Sequence, residues 1–214
     1  MQELATRIVL IRHGETLWNR AGRIQGHTDI ALSPLGLAQA ERLAEALADE
    51  PLAALYASDL SRAHQTAQAL ARRLDLPVRL DPGLRERAFG RFEGLDWEQI
   101  SRAHPEDAER WRRREPDFAV GGGESLNEFS ARALGAVRRA AAAHPGAGVA
   151  IVTHGGVLDC LYRAATRLAL DAPRNWQLGN ATLNRLLATA NGFTLVGWND
   201  DHHLAGLTDG DGSP

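Results

Sequence analysis

The sequence contains no lysine, because all 24 of its basic residues are arginine. This absence excludes Schiff-base chemistry, the attachment of pyridoxal phosphate and the lysine of a P-loop. Cysteine is nearly absent as well. The single Cys160 excludes an intramolecular disulfide and any zinc site built from several cysteines. One cysteine is typical of a protein in a reducing compartment.

Long apolar runs and an excess of one charge are also lacking. No uninterrupted apolar segment approaches the ~20 residues that span a bilayer, and residues 1–7 lack the layout of a signal peptide. We therefore expect a cytoplasmic protein that binds no membrane. The formal net charge is −3 and the arginines are spread along the chain. The sequence thus predicts no nucleic-acid partner and favours a small-molecule ligand.

The order of the predicted elements indicates an α/β fold. Apolar runs typical of strands alternate with helical patterns, which predicts a single three-layer α/β/α domain around a mostly parallel central sheet. We expect this domain over residues 1–207, and a disordered tail over 208–214, which is rich in Asp and Gly. Residues 83–123 are irregular and rich in Gly and Pro, and we interpret them as a helical lid insertion.

The individual elements follow from apolar periodicity and from helix-capping residues. Ser33 followed by Pro34 is typical of a helix start. Asn191-Gly192 is typical of a hairpin turn. Strands are predicted over 8–11, 52–57, 78–80, 149–153, 183–189 and 193–198, and helices from 34 to about 47 and over 61–74, 124–143 and 156–168.

One short pattern occurs twice, at the ends of two predicted strands. Residues 8–14 read Ile-Val-Leu-Ile-Arg-His-Gly, and residues 149–155 read Val-Ala-Ile-Val-Thr-His-Gly. If both strands are parallel, His13 and His154 emerge at the same edge of the sheet, where open α/β folds bind ligands. A glycine after each histidine lets the backbone approach a ligand, and the following helix start favours an anion.

Two further polar residues follow the second and third strands. Arg62 comes shortly after the second strand and Glu86 shortly after the third. Arginine binds phosphate oxygens bidentately, and a carboxyl group serves as acid and base. Together with Arg12, His13 and His154, these residues predict a site that handles a phosphoryl group.

Several motifs resemble the histidine phosphatase superfamily, the phosphoglycerate mutase-like proteins, over about residues 7–200. The motifs occur in the order of that family, and they are Leu10-Ile11-Arg12-His13-Gly14-Glu15-Thr16, Leu17-Trp18-Asn19, Gln25-Gly26 with Asp29, Leu32-Ser33-Pro34-Leu35-Gly36, Ser58-Asp59-Leu60-Ser61-Arg62-Ala63, Glu86, Gly123-Glu124-Ser125 and Thr153-His154-Gly155-Gly156.

The resemblance implies a role for each site residue. His13 would be the nucleophile that takes the phosphoryl group, and Glu86 would protonate the departing alcohol and then activate water. Arg12, Arg62 and His154 would hold the phosphoryl oxygens, with Asn19, Gln25 and the Gly155 amide completing the pocket. The resemblance implies neither a metal nor another cofactor, and it implies a small phosphorylated metabolite as the partner.

Within this family, the sequence favours a phosphatase over a mutase that depends on 2,3-bisphosphoglycerate. Gln25-Gly26-His27 stands where such mutases usually read T-G-W, the insertion after Glu86 is short, and residues 178–183 lack the P-T-G-I-P segment. Against this, Arg110 and residues 112–114, all arginine, resemble the basic residues that bind a mutase substrate's carboxylate. The alternative is that these arginines form a solvated helix face.

A different functional class also remains open, namely a non-catalytic module that binds phosphate as a sensor or scaffold. The presence of both His13 and Glu86 argues against this alternative. The sequence alone determines neither the physiological substrate nor the oligomeric state.

Overall fold

The computed structural model describes residues 4–207, and within them six strands form one sheet. The strands are β1 (Thr6–Arg12), β2 (Ala54–Ala57), β3 (Val78–Leu80), β4 (Gly148–Thr153), β5 (Leu183–Thr189) and β6 (Gly192–Asp200). The helices are α1 (Leu17–Arg20), α2 (Pro34–Ala46), α3 (Ser61–Leu74), α4 (Trp97–Ala103), α5 (Pro105–Arg112), α6 (Leu126–Ala142) and α7 (Gly155–Thr166), and 3₁₀ turns cover Pro82–Leu84, Gly90–Phe92 and His202–Leu204. The tail predicted over 208–214 lies outside the described residues.

The sheet has the order β3-β2-β4-β1-β5-β6 and is parallel from β3 through β1. β5 and β6 are antiparallel and close one side of the sheet as a hairpin. Gly192 follows the turn with φ +127°, a conformation that glycine adopts readily. The predicted mostly parallel sheet and its hairpin are therefore confirmed, but the turn is Ala190-Asn191, one residue earlier than predicted, because Gly192 already pairs with Thr189.

Helices cover both faces of the sheet, as the alternating burial of β1 shows. Ile8 and Leu10 pack with residues of α6 and α7, whereas Val9 and Ile11 pack with residues of α2 and α3. All four side chains are at most 2% exposed. Full burial of such side chains contributes roughly 1.5–3 kcal/mol each. β1 and β4 are thus central strands between two helical layers, and the three-layer fold is confirmed.

Caps set the helix starts. The Ser33 hydroxyl accepts a hydrogen bond from the Gly36 amide at 3.0 Å, with Pro34 as the first helical residue, as predicted. α6 begins at Leu126, two residues later than predicted, because Ser125 forms a capping box with Glu128. The four-residue helix α1 was not predicted from the sequence. Thr16 and Asn19 cap it.

Residues 83–123 contain two short helices and have a small core of their own. Its buried residues are Phe92, Ile100, Ala108, Phe118 and Val120. The segment folds back on itself at Gly90, where a methyl group would lie 2.1 Å from the Gly121 carbonyl oxygen. The short helices are as predicted, whereas the domain limits and the lid role stay predictions. No helix within residues 4–207 is long and apolar enough to cross a bilayer.

Candidate active site

His13 and His154 lie side by side at the carboxyl edge of the sheet. β1 pairs with β4 so that Arg12 is opposite Thr153, and the His13 amide donates to the Thr153 carbonyl at 2.9 Å. The two ring centroids are 5.1 Å apart, and the residues are 3% and 0% exposed. The repeated strand-His-Gly pattern therefore brings both histidines to one place, as predicted.

The hydrogen bond of His13 determines which ring nitrogen is free. Nδ1 lies 2.7 Å from the Gly14 carbonyl oxygen, which only accepts, so we assign the proton to Nδ1. The lone pair is then on Nε2. Burial, with the charges of Arg62 and Arg12, holds the pKa of His13 well below its usual range. His13 is therefore neutral, which a nitrogen nucleophile requires.

Arg62 orients His154. Arg62 Nε donates to His154 Nδ1 at 3.3 Å, which assigns the His154 proton to Nε2. That Nε2 is buried and has no acceptor within the described residues. Burial first, then the charge of Arg62, lowers the pKa of His154 well below its usual range. His154 thus presents a neutral N–H donor beside His13.

Arg12 and the start of α7 add further donors. Arg12 donates through Nη1 to the Leu178 carbonyl, while its buried Nε has no acceptor within residues 4–207. Burial lowers the pKa of Arg12 to about 10, which leaves the guanidinium charged at neutral pH. Gly155 is the first residue of α7, and its amide belongs to the first turn, where amides lack intrahelical acceptors. A methyl group at Gly155 would lie 3.5 Å from Arg12 Nε.

The two glycines that follow the histidines serve different purposes. Gly14 does not line the cavity described below, and a methyl group there would lie 2.4 Å from the Gly36 carbonyl oxygen of α2. The sequence interpretation that Gly14 admits a ligand is therefore wrong, because helix packing requires this glycine. Gly155 lines the cavity, in line with that interpretation.

Glu86 reaches the site from the loop after β3. Its Oε2 accepts from the Gly156 amide at 2.9 Å, and its Oε1 accepts from the Arg87 amide at 2.8 Å. The Glu86 backbone is held from two sides. Its carbonyl oxygen lies 2.9 Å from His27 Nε2 and 3.1 Å from Arg132 Nη2. Sequence reasoning missed both of these supporting residues, since neither follows a strand end.

Asn19 and Gln25 line the same cavity, and their amide oxygens are already engaged. Asn19 Oδ1 accepts from the Thr16 amide at 3.1 Å and from Asn180 Nδ2 at 3.2 Å. Gln25 Oε1 accepts from the Thr16 hydroxyl at 3.1 Å. The NH₂ groups of Asn19 and Gln25 have no acceptor among residues 4–207, so the predicted role as donors to an anion is open to them. Asn180 also donates to the His13 carbonyl at 3.0 Å, a link that the sequence did not reveal.

These residues surround a cavity of about 670 Å³. One part is the pocket around His13, and another is formed by residues of the insertion and of the segment before β5. The charged side chains in its lining are Arg12, Arg23, Arg62, Arg87, Arg114, Arg174, Glu86 and Asp159. Six arginines thus face two carboxylates. Sequence reasoning missed Arg23, Arg87 and Arg174, which belong to no motif that we identified.

The arginines at positions 110 and 112–114 of the insertion lie in two different environments. Arg112 and Arg113 both pair with Glu109, and Arg110 pairs with Glu115, all on exposed surface. These three arginines form the solvated face that was the alternative interpretation. Arg114 instead lines the cavity, where its Nη2 donates to Asp159 Oδ2 at 2.6 Å. Within residues 4–207, no three His, Cys, Asp or Glu side chains are grouped to hold a metal ion.

Comparison with known proteins agrees with this geometry. Residues 8–201 match the model of the histidine phosphatase superfamily (branch 1). The chain is 37% identical to the metal-independent phosphoserine phosphatase of Arabidopsis thaliana, over 98% of this chain and 90% of that protein. It is 38% identical to phosphoglycerate mutase-like protein 4 of the same plant, over 92% and 86%. The solved structure of mycobacterial glucosyl-3-phosphoglycerate phosphatase superimposes with a TM-score of 0.82 at 33% identity, over 92% of this chain and 100% of that chain. This chain therefore belongs to the histidine phosphatase superfamily.

Proposed function

We propose that this protein is a phosphatase that hydrolyses small, carboxylated phosphomonoesters through a phosphohistidine on His13. One observation carries the proposal. The neutral Nε2 of His13 lies among charged and neutral N–H donors, of which Arg12 Nε and His154 Nε2 are buried without an acceptor in the described chain. Buried donors without partners are costly, and phosphoryl oxygens would supply the missing acceptors.

In the first step, the lone pair of His13 Nε2 attacks phosphorus and forms the N–P bond. The P–O ester bond breaks, and its electron pair stays on the departing oxygen, which takes a proton from Glu86. The guanidinium groups of Arg12 and Arg62 stabilise the charge on the transferred phosphoryl oxygens. These charges would serve in place of a metal ion.

In the second step, water attacks the phosphorus of the phosphohistidine. The Glu86 carboxylate, ionised after the first step, takes a proton from this water, the N–P bond breaks and its electron pair returns to His13 Nε2. Inorganic phosphate leaves, and both side chains regain their initial state. Glu86 thus acts as acid and then as base, while the amides of Arg87 and Gly156 hold its two oxygens in place.

The positive charge of the cavity favours a substrate whose leaving group carries a carboxylate. Arg23 and Arg174 both line the cavity, and neither pairs with a carboxylate in residues 4–207. Arg114 pairs with Asp159, a carboxylate that it shares with the buried Arg163. Two unpaired guanidinium groups beyond the phosphoryl pocket favour a substrate with a second anionic group. The relatives named for phosphoserine and for glucosyl-3-phosphoglycerate carry names of carboxylated phosphomonoesters.

A substrate panel tests this preference. We expect kcat/KM for O-phosphoserine and 3-phosphoglycerate to exceed that for glycerol 3-phosphate, which lacks the carboxylate, by about 10-fold or more. Arg174→Ala and Arg23→Ala should each reduce this ratio. Arg102→Ala is the matched control, because Arg102 is an exposed residue of α4 that pairs with Glu98. Equal kcat/KM for all three substrates in the unmodified enzyme would contradict the proposed substrate class.

The same panel separates hydrolysis from mutase activity and from simple binding. With 2,3-bisphosphoglycerate present, released phosphate and isomerised phosphoglycerate are scored separately, and we expect phosphate release to dominate. Interconversion of 2- and 3-phosphoglycerate far faster than phosphate release would instead establish a mutase, the activity for which one Arabidopsis relative is named. A binding module would leave p-nitrophenyl phosphate intact.

A further inference from the structure

Glu93, in the insertion, holds the loop that follows Gln25. Its Oε1 accepts from the amides of His27 and Phe89, both at 3.0 Å. Its Oε2 accepts from the Thr28 amide at 2.8 Å and from the Thr28 hydroxyl at 2.5 Å. One carboxylate thus receives four hydrogen bonds, three of them from backbone amides. Three of these bonds fasten the loop over residues 26–28 to the insertion, in addition to the contact of His27 Nε2 with the Glu86 carbonyl oxygen.

The same loop holds Arg62. The carbonyl oxygens of Gly26 and Thr28 accept from Arg62 Nη2 at 2.7 Å and from Nη1 at 3.1 Å. The remaining Nε donates to His154. The side chain of Arg62 is fully buried, and its direction is therefore determined by two loop carbonyls and one histidine. A shift of the loop would move the guanidinium relative to His13 and His154.

Gly26 shows how closely the loop and Glu93 approach each other. Its φ is +57°, which places the backbone in the left-handed region, and a methyl group there would lie 2.1 Å from Glu93 Oε1. A side chain at position 26 would therefore displace the carboxylate that binds the next two residues.

We propose that Glu93 is a positioning residue, which orients the Arg62 guanidinium for the phosphoryl group by holding the backbone of residues 26–28. The proposal rests on the phosphate-binding role of Arg62 in the proposed function. This role couples the insertion to the phosphate pocket. Glu93 of the insertion holds the backbone of residues 26–28, and that backbone orients Arg62 of the pocket. Glu93 itself does not line the cavity and takes no part in the chemistry.

The test measures the inhibition constant of inorganic phosphate against hydrolysis of p-nitrophenyl phosphate. In Glu93→Gln, an NH₂ group replaces one carboxylate oxygen. An NH₂ group cannot accept a hydrogen bond from the N–H and O–H donors around it, so part of the four-bond arrangement is lost. We expect the inhibition constant and KM to rise about 10-fold, with a smaller change in kcat. Glu98→Gln is the matched control and should change neither constant, because Glu98 is an exposed carboxylate on α4 whose ion pair among the described residues is with Arg102.

A double-mutant cycle distinguishes positioning from general loss of structure. In an Arg62→Ala background, Glu93→Gln should change phosphate affinity by less than about 2-fold, because the group that it positions is gone. Gly26→Ala should weaken phosphate binding in the same way and add little to Glu93→Gln. This second variant keeps the test decisive if Glu93→Gln folds poorly.

The outcomes separate this inference from the proposed function. If Arg62→Ala weakens phosphate binding but Glu93→Gln and Gly26→Ala do not, the positioning role is overturned and the proposed function stands. Additive effects of Glu93→Gln and Arg62→Ala would also overturn it. If Arg62→Ala leaves phosphate affinity unchanged, both the role of Arg62 and that of Glu93 are overturned.

Discussion

Adding a single methyl group at Gly156 should disable Glu86 without touching its chemistry. Gly156 is the second residue of α7, and its amide donates to Glu86 Oε2. The methyl group of Gly156→Ala would lie 2.1 Å from Glu86 Oε1 and 3.1 Å from Phe129 Cε1. Since non-bonded heavy atoms approach to roughly 3.5 Å, the carboxylate must retreat by about 1.4 Å.

The size of the effect follows from this displacement. A misplacement of ~1 Å in a catalytic group costs on the order of 100-fold in rate, or about 2.7 kcal/mol of activation free energy. This loss of rate is expected for alkyl phosphates, because their leaving oxygen needs a proton. Aryl phosphates such as p-nitrophenyl phosphate should lose only a few-fold, because their leaving group departs as a stable anion. For stability, the preference of a helix for alanine over glycine, about 0.5–1 kcal/mol, offsets part of the cost of the contacts with Glu86 and Phe129.

Steady-state kinetics on glycerol 3-phosphate and p-nitrophenyl phosphate, with thermal unfolding of each variant, measure these effects. Gly135→Ala on α6 is the matched control. There the nearest atom to the new methyl group is Arg139 Nη1 at 3.5 Å, so we expect unchanged kinetics. A folded Gly156→Ala enzyme that hydrolyses alkyl phosphates at the original rate would refute the reasoning. Equal losses of kcat/KM, which reports the first step, on both substrates would assign the acid role to another group.

Three further predictions concern the chemistry at His13. Brief reaction with ³²P-labelled substrate should leave an acid-labile, base-stable label on the protein, and His13→Ala should carry none; label retained on that variant would move the nucleophile elsewhere. Turnover should survive EDTA, because arginines supply the charge stabilisation; loss that added divalent ions restore would show that the site needs a metal. The decline of kcat/KM at low pH, its acid limb, should lie well below pH 6.5, the usual pKa of histidine, because burial, and then Arg62 and Arg12, lower the pKa of His13. Arg62→Ala removes a positive charge and admits water, both of which raise that pKa, so the acid limb should move to higher pH; an unmoved limb would contradict this account.

Two other carboxylates of the family motifs, Glu15 and Glu124, have structural partners instead. Glu15 pairs with Arg20 and accepts from the Ser33 hydroxyl at 2.7 Å. Glu124 pairs with Arg132 and accepts from the Ala88 amide at 2.9 Å. Neither lines the cavity. Of the two carboxylates in its lining, Asp159 pairs with Arg114 and Arg163, which leaves Glu86 for the acid role.

The sequence by itself determined the elements and the residues at the strand ends. Apolar runs of four or more residues mark β1 and β4, and a histidine directly after a strand must emerge at the sheet edge. These are local relations, so one sequence reveals them. The positions of His13 and His154 were predicted for this reason, and Arg62 and Glu86 follow from the same rule.

Only the tertiary structure decided which distant groups support the site. Glu93 meets the backbone of residues 26–28, more than sixty positions away, and Asn180 meets the His13 carbonyl across 167 positions. Such contacts have no periodicity or spacing along the chain. The same holds for Arg23 and Arg174, which become cavity residues only because separate loops converge there. Gly14 illustrates the difference. Its motif suggested contact with a ligand, whereas the structure shows that α2 packs too closely against it for any side chain.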